Sequence, residues 1–320
     1  MRALTRYPKG FTILELLIAL AIAALLLTSL TGAVGGALNL RDDTQARVDA
    51  TRDLRFAMDR MVRAARRSQR LLVPLADNPK TNWRENVREQ TVPASAPEGD
   101  STLATAVLAV TLDPGQDRDA DGFADGDNDK DGRVDEDPGN DNTFDGMPGI
   151  IGIDDDGDGT ADEGLATKLT DNDEDGIPFD DWLDGLDNDG DGAIDEDIPA
   201  ETNGDNKAGL ADVDDDGDGS VDEGNNQNDD EDDAINEDWF DPVVFFLRGT
   251  TLIERRPNLD PSNGLDFSEY PIADNVTYFR VERVPDAGKR AVLVDITLEL
   301  TIPGIEATRK SVRIRVGGGL

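Results

Sequence analysis

Residues 11–30, FTILELLIALAIAALLLTSL, form an almost unbroken apolar run. About 20 such residues cross the hydrocarbon of a bilayer as one helix. A lone segment in lipid has no other way to satisfy its backbone. One carboxylate, Glu15, stands inside the run, and an acid placed there is costly enough to mark function. Arg2, Arg6 and Lys9 precede the run, and no comparable basic cluster follows it directly. The positive-inside rule then puts the N-terminus in the cytoplasm and the body across the membrane. A secretory signal carries its small-residue cleavage site after the apolar region. Here no such site follows Leu30 in register, whereas Gly10 lies just before the run. A plain N-terminal anchor with one stray acid is the alternative reading.

The helix is expected to continue past the membrane, because no proline occurs from 11 to 72. Leu54, Met58, Met61 and Ala65 recur at helical spacing, with Arg and Asp on the other faces. Gly32, Gly35 and Gly36 are expected to loosen it, and Pro74 to stop it. About 60 residues at 1.5 Å each make a spine of roughly 90 Å. Strand signals follow at 102–112, 242–248, 250–256, 276–284, 290–302 and 307–316, with Gly249 as a turn and 317–320 as a frayed tail. The expected class is α+β: a long N-terminal transmembrane and spine helix packed on one antiparallel sheet. The expected divisions are a leader at 1–10, a span at 11–31 and the spine with the first part of the body at 32–112. An insertion follows at 113–241, and the C-terminal sheet at 242–316.

The insertion stands out by charge. Residues 113–241 hold 49 of the 70 acidic residues and five of the 31 basic ones, a net of −44. Such a block repels nucleic acid and attracts cations. The chain has no Cys and no His, so disulfides, the usual zinc sites and Ser-His-Asp or Cys-His catalysis are excluded. Any metal is expected to be a hard cation on oxygen, calcium first. Acid pairs such as Asp180 and Asp181 are what a glycosidase uses. Abundant metal-loop acids account for them without a cleft, and no phosphate loop or nucleophile elbow occurs. The chain is not expected to be an enzyme.

The block repeats D-x-D-x-D-G-x-x-D. Five copies are complete: Asp117, Asp119, Asp121, Gly122 and Asp125; Asp127, Asp129, Asp131, Gly132 and Asp135; Asp154, Asp156, Asp158, Gly159 and Asp162; Asp187, Asp189, Asp191, Gly192 and Asp195; and Asp214, Asp216, Asp218, Gly219 and Asp222. A sixth keeps Asp171, Asp173, Asp175 and Gly176 and shifts its later acid to Asp180; degenerate copies start near Asn203 and Asn228. Two pairs of copies are 27 residues apart, as repeated units would be. Calcium takes six to eight oxygens at about 2.3–2.6 Å. Acids at loop positions one, three and five can wrap one ion, and glycine at six permits the sharp turn. Position seven offers a carbonyl at Arg133, Thr160, Ala193 or Ser220. Positions nine and ten add Asp135 with Glu136, Asp162 with Glu163, Asp195 with Glu196 and Asp222 with Glu223. Position eight is apolar in every complete copy: Ala124, Val134, Ala161, Ile194 and Val221. Aspartate outnumbers glutamate 41 to 8 in the block. A solvating linker, the alternative reading, would be indifferent between them. The block is expected to be unfolded without calcium and compact with several ions bound, at affinities on the order of 10⁻⁴–10⁻³ M.

These loops resemble thrombospondin type 3 repeats and the first half of an EF-hand loop. The bidentate Glu of the EF-hand is missing at position twelve. The stretch KGFTILELLIAL at 9–20 resembles the class III signal of type IV prepilins and pseudopilins. The resemblance implies that prepilin peptidase cuts between Gly10 and Phe11, that the Phe11 amine is methylated, and that Glu15 pairs with the N-terminal amine of a neighbouring subunit. RFAMDRMVRAARRSQRL at 55–71, FFLRGTTLIERR at 245–256 and PIADNVTYFRVERV at 271–284 look like J-type minor pseudopilins and PilW-like minor pilins. That resemblance covers 1–112 and 240–316. K-type tip pseudopilins commonly lack the acid that Glu15 supplies, which disfavours that branch. The implied role is a subunit of a type II secretion or type IV pilus filament. Its implied partners are other pilin or pseudopilin subunits, prepilin peptidase and the inner membrane, with the body periplasmic. The alternative role is a calcium-rigidified adhesin or spacer on a pilus tip.

Overall fold

The computed structural model describes residues 12–76, 83–96, 103–113, 116–117, 120, 122–126, 149–162, 220, 241–257, 267–284 and 292–317. Helix α1 runs Ile13–Arg67. It starts on a capping box: the Thr12 amide and hydroxyl both donate to Glu15 Oε2 at 2.9 Å, and the Glu15 amide donates back to Thr12 Oγ1 at 3.3 Å. Gly32, Gly35 and Gly36, expected to loosen it, lie within the helix without interrupting it. They remove side chains but no backbone hydrogen bonds, so each costs propensity without breaking the ladder. The helix ends seven residues before Pro74, with Arg66 and Arg67 in its last turn, where cations suit the helix dipole.

The chain divides into two compact units, 1–49 and 50–320. In the described part of the first unit the helix is exposed almost throughout, including Leu14, Leu17, Leu20, Leu25 and Leu30. An 18-residue window there has a mean hydropathy of 2.6, enough to cross a membrane by length and composition.

The second unit holds two antiparallel sheets. The strands in chain order are β1 Leu71–Val73, β2 Val87–Thr91, β3 Val107–Thr111, β4 Pro242–Arg248, β5 Thr251–Pro257, β6 Phe267–Ala273, β7 Val276–Val284, β8 Leu293–Leu300 and β9 Thr308–Arg315. Sheet A has the order β1-β3-β4-β5-β6 and sheet B the order β2-β7-β8-β9. The sequence pattern led to a single meander, so the second sheet is a correction. The change of sheet falls at Asp274 and Asn275. Asn275 takes a positive φ of 59°, and the Val276 amide then donates to the Thr250 carbonyl at 2.8 Å. β1, β2 and β6 were not foreseen. β1 is three residues long, β2 (VREQT) is polar and alternates weakly, and β6 contains Pro271.

One core cluster joins the α1 stripe to both sheets. Leu54, Ala57, Met58, Met61 and Ala65 pack with Leu108, Val110, Phe245, Leu247, Phe279, Ile296 and Leu298. A second cluster lies on the other face of sheet A. Alternation along the strands places Val107, Ala109, Val244, Phe246 and Ile253 there. Ile150 and Ile153, each 1 % exposed, cover them. Because both faces are covered, all five residues of β3 are buried. Thr111 pairs with Pro242 in the β3–β4 ladder, so the acidic segment leaves and re-enters the fold at neighbouring strand ends.

Candidate functional site

Two places carry chemistry. At the N-terminal end, Glu15 sits in the first turn of α1, with its carboxylate held by Thr12 as described. Gly10 and Phe11 lie outside the described residues. The capping partner Thr12 was missed, although Thr-x-x-Glu at 12–15 is the sequence signature of this device.

The second place is the loop 149–162. The carboxylate oxygens of Asp154, Asp156 and Asp158 lie within 4.8 Å of one another. The first two residues are buried and the third is exposed. Backbone amides shape the loop. Asp154 accepts from Gly157 at 2.6 Å and from Gly159 at 3.2 Å, Asp156 from Asp158 at 2.8 Å, and Asp158 from Thr160 at 2.8 Å. Asp162 accepts from Gly152 at 2.7 Å, which ties position nine back across the loop. Gly159 has φ +104°, a conformation that a side chain at position six would strain. The first copy repeats the device: the Gly122 amide donates to Asp117 at 3.2 Å, and Gly122 has φ +102°. The Asp125 amide closes that loop onto the Gln116 carbonyl at 2.6 Å. Among the described residues, then, the two copies that can be compared share their one-to-six bond and their glycine geometry. The candidates Asp119, Asp121 and Glu163, and the acidic candidates at 127–136 and 171–223, lie outside the described residues.

Three buried acids in a row need counter-charge. Burial raises the Asp154 pKa, opposed by the Arg88 charge and the Gly157 amide. Burial lifts Asp155 well above its ordinary value; the Ile150 amide, at 2.7 Å from Oδ2, and Arg88 oppose it, while Asp154 and Asp162 push it further. Arg88, on β2 and 2 % exposed, is the central anchor. Its Nε donates to the Thr105 carbonyl and its Nη1 to the Asp155 carbonyl, each at 3.2 Å, and its Nη2 to the Asp154 carbonyl. Its charge lies 3.8 Å from Asp154 Oδ2. A buried guanidinium with all three nitrogens engaged is the arrangement that makes such burial tolerable.

Arg255 on β5 holds the other end. It donates to the Ile151 carbonyl, pairs with Glu269 at 3.2 Å, and stacks 4.0 Å from the Phe267 ring centroid and 5.1 Å from that of Phe246. Burial lowers the Arg255 pKa, and Glu269 opposes that. Nothing in the sequence singled out Arg88 or Arg255. Ile150 and Ile153 did leave a signal: they are apolar residues, flanked by Gly149 and Gly152, in a strongly acidic block.

Compared with known families, residues 5–31 match the prokaryotic N-terminal methylation motif. No curated protein and no solved structure matches the chain. The motif, followed by a long apolar helix and antiparallel sheets, supports the type IV pilin and pseudopilin superfamily. It suggests a structural subunit rather than an enzyme, one processed by prepilin peptidase and assembled with other pilin subunits.

Proposed function

We propose that this protein is a minor pilin or pseudopilin of the J-type branch, built into a type II secretion or type IV pilus filament, with a calcium-stabilised module at 113–241. The observation that carries the reading is the methylation motif at 5–31 in register with Glu15 and α1. Prepilin peptidase cuts after Gly10, the Phe11 amine is methylated, and the mature N-terminus stays at the inner membrane with the body in the periplasm. In the free subunit Glu15 is satisfied by Thr12. In the filament it exchanges that partner for the amine of a neighbour, and this pairing in low dielectric registers the subunits.

Co-expression with a prepilin peptidase tests the reading. The expected product begins at Phe11 with one added methyl group, read by intact-mass and N-terminal sequencing. Glu15→Ala is expected to insert into the membrane normally and to enter filaments poorly. Normal incorporation of that variant contradicts the docking role.

The calcium part of the proposal is supported by the convergence of Asp154, Asp156 and Asp158 and by the matching glycine geometry of Gly122 and Gly159. The ligand set extends by repeat to the other copies and includes Asp117, Asp125 and Asp162. The second reading, a rigid adhesin or spacer, draws on the departure and return of the segment at paired strand ends. That arrangement displays an insertion without unravelling the sheet. Loss of surface attachment with normal filaments, on shortening the segment outside 149–162, favours this second reading.

A further inference from the structure

From 41 to 70 the chain carries nine arginines and no lysine. Arginine presents a planar fork that meets a carboxylate with two parallel donors, which an ammonium does not. Arg60, Arg63 and Arg67 of α1 and Arg256 of β5 line a groove of about 280 Å³ whose acids, among the described residues, are Glu254 and Asp113.

Glu254 is 3 % exposed and accepts from both Arg60 and Arg256, the latter at 3.0 Å. Arg60 also lies 5.9 Å from the Phe56 ring centroid, and Arg256 lies 5.9 Å from that of Tyr270. One buried carboxylate and two rings therefore fix two guanidiniums. Their remaining N–H edges have no need of Glu254. Arg67 meets Asp113 at 3.6 Å, and Arg63 donates its Nε to the Asp59 carbonyl of its own helix at 3.0 Å. Among the described residues, four cations thus face two acids. A merely solvated basic face needs neither a buried clamp nor stacking.

We propose that this groove docks an acidic peptide segment of a partner chain, whose Asp or Glu carboxylates sit on Arg63, Arg67 and the spare edges of Arg60 and Arg256. Charge complementarity selects the occupant. An apolar segment would strip water from four guanidiniums without replacing it. A polynucleotide would extend its phosphates along the acidic block of the same chain. A short acidic peptide meets only Asp113 and Glu254 among the described acids that line the groove.

The test uses the full chain in detergent micelles at about 0.15 M salt and a fluorescein-labelled decapeptide of alternating Asp and Gly. Arg63→Ser with Arg67→Ser is expected to weaken binding at least about tenfold, because two charge-assisted contacts are lost. Arg52→Ser with Arg55→Ser removes the same charge from the same helix outside the groove, and is expected to leave binding unchanged. Circular dichroism checks that both variants fold. Three results would overturn the proposal: equal weakening by both pairs, displacement of the peptide by inorganic phosphate at matching concentration, or no binding to the unaltered chain.

Discussion

The two faces of sheet A are covered in different ways. Under α1, a stripe of Leu54, Ala57, Met58, Met61 and Ala65 meets alternate residues of β3, β4 and β5 over a broad apolar area. On the opposite face, a short loop does the covering with two isoleucines and is held by two arginines that bond to its carbonyls. The first kind of cover spreads its energy over many small contacts. The second concentrates it in a few polar anchors, each of which is costly to lose.

The comparison can be broken from either side. Phe245→Ala, on the helix side, is expected to cost about 4 kcal/mol and to lower the melting midpoint of the whole body, seen by circular dichroism. Ile153→Ala, on the loop side, is expected to cost about 2–3 kcal/mol. Its effect should appear mainly as faster amide exchange across 149–162, with a smaller shift of the body. Equal global destabilisation by both substitutions would mean that the loop is as integral to the body as the helix. Arg88→Met should cost about 3 kcal/mol. It leaves the carbonyls of Thr105, Asp154 and Asp155 without their donor and Asp154 without its counter-charge. Exchange at 149–162 as slow as in the unaltered chain would remove Arg88 as the anchor.

The smallest effect concerns pH. Glu269 is partly buried, which disfavours its ionised form. Hydrogen bonds and charge from Arg248 and Arg255 outweigh that and hold its pKa below the ordinary 4.5. A carboxylate with a depressed folded-state pKa stabilises above its unfolded value and loses that contribution as pH falls through the folded value. Glu269→Gln is therefore expected to remove about 1 kcal/mol at neutral pH, the figure being small because the site is partly exposed. It should also flatten the acid limb of the stability curve below about pH 4.5. An unchanged acid limb in that variant would show that the Arg255 anchor does not depend on Glu269.

Much of the helix side was legible in sequence. Period-3.6 spacing announced the buried stripe of α1, an apolar run before Gly249 announced β4, and period-2 spacing announced β7 and much of β8 and β9. The loop side was not. The all-buried β3 could not say what lay over its second face. The role of Arg88 depends on contacts 66 and 67 residues away along the chain, which leave no local period. The split into two sheets was equally hidden. It turns on the αL conformation of Asn275 and on β2 finding β7 across the whole acidic segment. The Asp loops fall between these cases. Spacing identified the residues that converge at 154–158, whereas the anchoring of that loop to the body came from outside the motif.

The proposed calcium-structured module is fastened to the body through 149–162. Hydrogen exchange read by mass spectrometry, on the same protein in millimolar calcium and in chelator, tests it most directly. Peptides covering 114–148 and 163–240 are expected to gain strong protection with calcium, while those covering 149–156 stay partly protected in chelator through Ile150, Ile153 and Arg88. Identical exchange in the two conditions across the whole segment would contradict the claim.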